Sequence, residues 1–188
     1  MNMATMPETG RRAGIVKVLK LLHKRRAPKY TPTIVETGTT RGTLGGGARL
    51  DGWATLAWGW YAKTHGACVY TIDLLEEALR QCREITKEYE GFIEYVQGNA
   101  AAAIEALDVK VIDLLYLDSS DDPQDAMAEL KAAYIRLRRD SIVMVDDTRL
   151  NPMWGKGTVV HPWLLDHGWR VVFESPGKVD NQVIYVRS

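Results

Sequence analysis

"VIDLLYLDSSDDPQDAMAELKAAYIRLRRDSIVMVDD", residues 111–147, holds two apolar runs that each stop on aspartate, with a helical pattern between them. The runs 111–118 and 141–146 are short and almost wholly apolar, as strands covered on both faces are. Between them, Met127, Leu130, Tyr134 and Leu137 recur at helical spacing within 123–140. Strand, helix and strand in this length make a parallel crossover unit, and the rest of the chain repeats it. Further strands are expected at 33–37, 68–73, 92–97, 169–174 and 181–187, and further helices at 51–66, 76–91, 100–107 and 159–168. Asp51 is a good cap for the first of these helices. Only "SPGKVD" (175–180) separates the last two strands, too short for a crossover helix. The expected fold is therefore α/β: a doubly wound sheet of about seven strands, mostly parallel with one antiparallel strand near the C-terminus.

The length of 188 residues suits a single domain, 1–188, with 1–29 as a helical extension of a 30–188 core. With 24 basic and 24 acidic residues the formal charge is zero, unlike the electropositive footprint of a nucleic-acid binder. Cys68 and Cys82 lack metal-ligand spacing and read as free thiols in a reducing compartment. The start, "MNMATMPETG", has no apolar targeting region, and no apolar run reaches membrane-spanning length, so a cytoplasmic location is expected. "RRAGIVKVLKLLHKRR" (11–26) places Ile15, Val18, Leu19 and Leu22 on one helical face between basic ends. Such a helix lies on a membrane or partner, or packs on its own domain with the basic ends in water; the second is the ordinary use.

In an open parallel sheet, ligands bind beyond the carboxyl ends of the strands. Acids gather there: Glu36, Asp73, Asp118, Asp146 and Asp147, with Asn99 at the end of the third strand. Any one of them also reads as a cap for the following helix. "IVETGTTRG" (34–42) then carries Gly38 and Gly42, which let a ligand approach the backbone and its N–H groups. Their spacing is not that of a dinucleotide loop, and an acid within the loop repels a pyrophosphate. A ligand without phosphate there, and with a positive group near Glu36, fits better. Asp73 is placed to accept hydrogen bonds from a ribose diol.

Taken together, "ETGTTRG", "YTIDL", "VQGNAAAA", "LLYLDSS" and "VMVDDT" resemble class I S-adenosylmethionine-dependent methyltransferases. Within them the chain is most similar to the catechol O-methyltransferase-like group and its bacterial small-molecule relatives, over roughly residues 30–188. The resemblance implies a Rossmann-like core and S-adenosylmethionine as cofactor, a sulfonium cation without phosphate. It implies that Glu36 and Gly38 hold the methionine portion with Thr39 beside them, and that Gly42 closes the loop. Asp73 then takes the ribose hydroxyls, Leu74 beside it belongs to the cofactor site, Asn99 and Ala100 border the adenine, and Asp118 meets either the cofactor amine or a metal. Asp118, Asp146 and Asp147 are the implied ligands of a divalent cation, with magnesium, calcium or manganese suiting three hard oxygens. Two departures stand out: Asp121 occupies the place of a lysine usual in the metal-dependent group, and the metal pair is Asp-Asp rather than Asp-Asn.

On the acceptor side, "TRLNPMWGKG" (148–157) is expected to form a loop at the site's edge, where Arg149, Lys156 and His161 are available to bind or deprotonate an acceptor. Catalytic candidates are therefore Asp118, Asp146, Lys156 and His161. Trp53 is available to wall the pocket, and the glycine-rich segment 43–51 to set acceptor selectivity. The expected function is O-methylation of a small hydroxylated acceptor, with a divalent metal assisting, by a homodimer that engages neither nucleic acid nor membrane. The rivals are a nicotinamide-dependent oxidoreductase and a non-catalytic nucleoside-binding module of the same fold.

Overall fold

Seven strands hydrogen-bond side by side: β1 (Thr33–Thr37), β2 (Cys68–Asp73), β3 (Ile93–Gln97), β4 (Ile112–Leu117), β5 (Leu137–Val145), β6 (Trp169–Glu174) and β7 (Val183–Arg187). This computed structural model describes residues 11–25, 30–42, 53–148, 155–175 and 181–187. The sheet order is β3-β2-β1-β4-β5-β7-β6, with β7 alone antiparallel to its neighbours. Chain direction reverses its march across the sheet between β1 and β4, and a ligand crevice opens at such a switch point.

Among the described residues six α-helices flank the sheet: α1 (Arg11–Arg25), α2 (Ala54–His65), α3 (Glu76–Thr86), α4 (Ala100–Ala106), α5 (Pro123–Tyr134) and α6 (Gly157–Asp166), with a 3-10 turn at Lys87–Phe92. The period-two alternation of each strand divides the core. Leu114, Tyr116, Ile142, Met144 and Ile184 pack with α1 and α2, whereas Leu115, Leu117, Val143, Val145 and Tyr185 pack with α4, α5 and α6. Ile15, Val18, Leu19 and Leu22 of α1 are buried in the first cluster, so its apolar face belongs to this domain's core. Among the described residues no helix is long and apolar enough to cross a membrane. Both cysteines are free, and burial pushes the Cys82 thiol up to about 11.

Two boundaries differ from expectation. Asp51 lies outside the described residues, and Trp53, just ahead of α2, takes the left-handed conformation at φ 55° and is buried in the core. The helix expected to run to 140 ends at Tyr134, and Leu137 opens β5 by pairing with Ile112. Arg136 explains the early stop. Its Nε donates to the Val109 carbonyl at 3.1 Å and its Nη2 to the Glu105 carbonyl at 2.9 Å. Nη1 reaches the Ile104 carbonyl at 3.1 Å, so one guanidinium gathers the carbonyls at the end of α4. A fork of five donors suits that task and an ammonium does not. Arg136→Ala and Arg136→Lys should each lower stability, the alanine variant by about 1–2 kcal/mol, as read by urea unfolding.

Candidate cofactor cleft and acidic cluster

Strand alternation aims the terminal side chains. Glu36 follows Val35 on β1, so it turns toward α2, and its carboxylate is enclosed there, 2 % exposed. Oε2 accepts from Thr55 Oγ1 at 2.6 Å and from Thr71 Oγ1 at 2.8 Å; Oε1 accepts from the Trp58 indole N–H at 3.0 Å. This acid ties β1, β2 and the start of α2 together beneath the glycine loop. Gly38 has φ 77°, and a Cβ there would run into the carbonyl oxygen of Asp118. Its freedom thus serves the close approach of β4 to β1. Gly42, at φ 91°, donates its N–H to Gln81 Oε1 at 3.1 Å.

A cleft opens on the α4–α5 side of the switch point. Its lining includes Gly38, Asp73, Leu74, Asn99 and Ala100, five of the residues proposed for the cofactor. Glu36, Thr39, Gly42 and Asp118 are not part of that lining. Thr39 lies buried against Thr71, with 3.0 Å between their hydroxyls. Asp73 Oδ1 accepts from the Leu75 N–H at 2.9 Å. Among the described residues its buried Oδ2 has no hydrogen bond, and the Arg41 guanidinium lies 3.4 Å away as an ion pair. Asn99 caps α4, its side chain accepting from the Ala102 N–H at 3.2 Å.

The sequence reading missed two acids in this cleft, Asp125 and Glu129. Glu129 on α5 is buried, accepts from Thr37 Oγ1 at 2.7 Å and from Ser119 Oγ, and so clamps the end of β1 to the end of β4. Burial raises its carboxyl above the ordinary glutamate value. A trace existed: 126, 129, 130 and 133 form one helical stripe, and 129 is its acid among Ala126, Leu130 and Ala133.

On the α1–α2 side, Asp118, Asp146 and Asp147 bring carboxylate oxygens within 4.8 Å of one another. Asp146 is fully buried; its Oδ2 accepts from the Tyr116 hydroxyl at 2.6 Å, and that hydroxyl lies 3.1 Å from Asp118 Oδ2. Gln182 Nε2 approaches Asp146 Oδ2 at 3.4 Å. Lys156 is buried as well, with Nζ 3.4 Å from Asp118 Oδ1. Gly157 permits that position, because a Cβ there would stand 2.7 Å from the Thr148 carbonyl oxygen. Tyr116 and Gln182, which the sequence reading did not single out, thus belong to this cluster.

The remaining candidates lie elsewhere. Asp122 caps α5 through the Gln124 N–H at 2.8 Å, and Asp121 is exposed. His161 faces Tyr185 across 3.0 Å, on the opposite side of the sheet from Tyr116. Arg149 and the segment 43–51 fall outside the described residues. Glu36→Ala strands three buried donors and should cost about 2–4 kcal/mol, with Glu36→Gln milder, in thermal or urea unfolding.

A family profile described as a methyltransferase domain matches residues 49–148. No curated protein matches the sequence. Among solved structures, the O-methyltransferase TomG from Streptomyces achromogenes, involved in tomaymycin synthesis and in complex with S-adenosylmethionine, superposes with a TM-score of 0.71 at 15% identity, covering 94% of this chain and 80% of that one. The O-methyltransferase NovP gives 0.70 at 16%, covering 95% and 80%. CalS11, a TDP-rhamnose 3′-O-methyltransferase of calicheamicin biosynthesis, gives 0.65 at 17%, covering 92% and 79%. At such identities these likenesses speak for the fold. The profile match spans more than half of the chain, so the chain belongs to the methyltransferase-domain family and carries the fold of the class I S-adenosylmethionine-dependent methyltransferases.

Proposed function

We propose that this protein transfers the methyl group of S-adenosylmethionine to a hydroxyl of a small acceptor. The observation that carries the reading is Asp73 Oδ2, a buried carboxylate oxygen of a residue lining the cleft that has no hydrogen bond among the described residues. A ribose diol supplies the missing donor once Arg41, half exposed beside it, gives way or shares the oxygen. The charge of the cleft agrees: Asp73, Asp125 and Glu129 line it, and no lysine or arginine does among the described residues. An acidic lining suits a cationic nucleoside and opposes a pyrophosphate, which weighs against a nicotinamide dinucleotide. The cofactor's sulfonium provides an activated methyl group for in-line displacement.

Acceptor activation is assigned to the acidic cluster on the other side of the Gly38 loop. Two carboxylates around one phenol proton leave excess negative charge, which the buried Lys156 ammonium meets in part. The donor set of three hard oxygens fits a divalent cation, which would bind at Asp118, Asp146 and Asp147 and lower the pKa of an acceptor hydroxyl. Within the chain, a carboxylate of the trio takes the hydroxyl proton and Lys156 stabilises the developing negative charge beside Asp118. The Lys156 side chain reaches from the start of α6, so it supplies a cation that the sequence around Asp121 does not.

Calorimetry with S-adenosylhomocysteine tests the cofactor, and a mass-shift screen of hydroxylated acceptors with magnesium or a chelator tests transfer. Asp73→Ala should weaken S-adenosylhomocysteine at least roughly tenfold. Absence of binding by the wild type, or binding of NAD in its place, rejects the reading. Lys156→Met should lower turnover by about 10²-fold or more with little change in cofactor affinity, whereas His161→Ala should leave turnover at the wild-type level.

A further inference from the structure

The two inner acids of the acidic cluster are met by different kinds of donor. Asp146 Oδ1 accepts from the Asp147 N–H at 2.9 Å and its Oδ2 from the Tyr116 hydroxyl at 2.6 Å, with Gln182 Nε2 3.4 Å from that same Oδ2. These donors are neutral, and a carboxylate oxygen has lone pairs enough to share between such a donor and a cation. Asp118 is met by a charge. Lys156 Nζ lies 3.4 Å from its Oδ1, on a side chain 2 % exposed, so water and salt screen that charge little. The lysine's backbone is held by its neighbours. Gly157 lies close against the Thr148 carbonyl, and Thr148 donates its N–H and its hydroxyl to Asn181. The start of α6 is thereby fixed beside the end of β5, where Asp146 and Asp147 follow.

Building on the reading of Asp118, Asp146 and Asp147 as a divalent-cation site, we infer that Lys156 is the resident counter-ion of that site and competes with the metal for Asp118, so that this lysine sets the metal affinity low. A magnesium ion bound to Asp118 Oδ1 sits about 2.1 Å from it, and so within about 5.5 Å of Nζ on any side. At that separation and out of water, charges of like sign oppose each other strongly. The neutral donors on Asp146 impose no such opposition. Metal entry therefore draws Asp118 away from the ammonium, which its flexible four-carbon stem lets move while the backbone stays in place. Two other roles are open to a buried lysine beside an acid. As a plain strut it predicts lost stability on substitution and unchanged metal affinity. As a post that orients Asp118 toward the metal it predicts weaker metal binding once it is removed. Competition alone predicts a gain.

The test is calorimetric titration of the full chain with magnesium and with manganese chloride. Lys156→Met should bind either ion at least roughly tenfold more tightly than the wild type, because three carboxylates then face the metal without a rival cation. Lys156→Arg, which keeps the positive charge, should stay near the wild-type affinity. Adding Asp146→Asn to Lys156→Met should abolish the gain, which locates it at the three acids. A measurement on the wild type guards against a variant that fails to fold. Acetylation of Lys156 by acetic anhydride, read by peptide mass, should rise several-fold when manganese is added and fall back with a chelator, since coupling between the two cations is reciprocal. Equal or weaker metal binding by Lys156→Met, or acetylation that ignores the metal, overturns the competition. If that binding still requires Asp146, the metal site itself stands. Absence of metal binding by both the wild type and Lys156→Met removes both.

Discussion

The whole site depends on the close passage of β1 and β4 at Gly38. The Asp118 carbonyl occupies the space a side chain at Gly38 would need, and Asp118 N–H donates to the Thr37 carbonyl at 3.0 Å. Because the chain departs to opposite sides of the sheet after these two strands, their ends stand together with the following loops splayed apart. That separation creates the cleft. Two buried acids then lock it from either face, Glu36 of β1 against α2 and Glu129 of α5 against the ends of β1 and β4. Each carboxylate is surrounded by hydroxyl or indole donors, which meets the cost of burying it.

This arrangement divides the chemistry by strand parity. Residues one position apart at a strand end point to different faces. Glu36 turns toward the α1–α2 face and Thr37 toward the α5 face, where it meets Glu129. Asp118 and Asp146 share the face of Tyr116, where Lys156 joins them. The cleft and the acidic cluster therefore lie on two sides of one loop, each with its own electrostatic surroundings.

Much of this was legible in the residues. The apolar runs ending in acid at 118 and 146 fixed a parallel crossover, and the short 175–180 turn predicted the antiparallel strand. Asp73 and Asn99 were singled out as polar strand ends, Leu74 and Ala100 through the family resemblance, and all four line the cleft. Glu36 was legible as important but not as enclosed: a lone acid before a glycine says nothing of Thr55 and Trp58, nearly twenty or more positions on. Helix α5 was overrun at its end because Leu137 keeps helical spacing, while the carbonyls that draw Arg136 away belong to α4.

Local sequence determined what each segment is: hydrophobic period sets strand or helix, glycine permits a positive φ, and strand-end position offers an acid to solvent. Tertiary structure decided what each acid does. Lys156 and Asp118 are 38 positions apart and Thr37 and Glu129 are 92 apart, and no local pattern encodes either meeting. They follow from sheet order and from which face each strand turns inward, since a carboxylate becomes a strut, a cap or a ligand according to the donors that packing brings within about 3 Å of it.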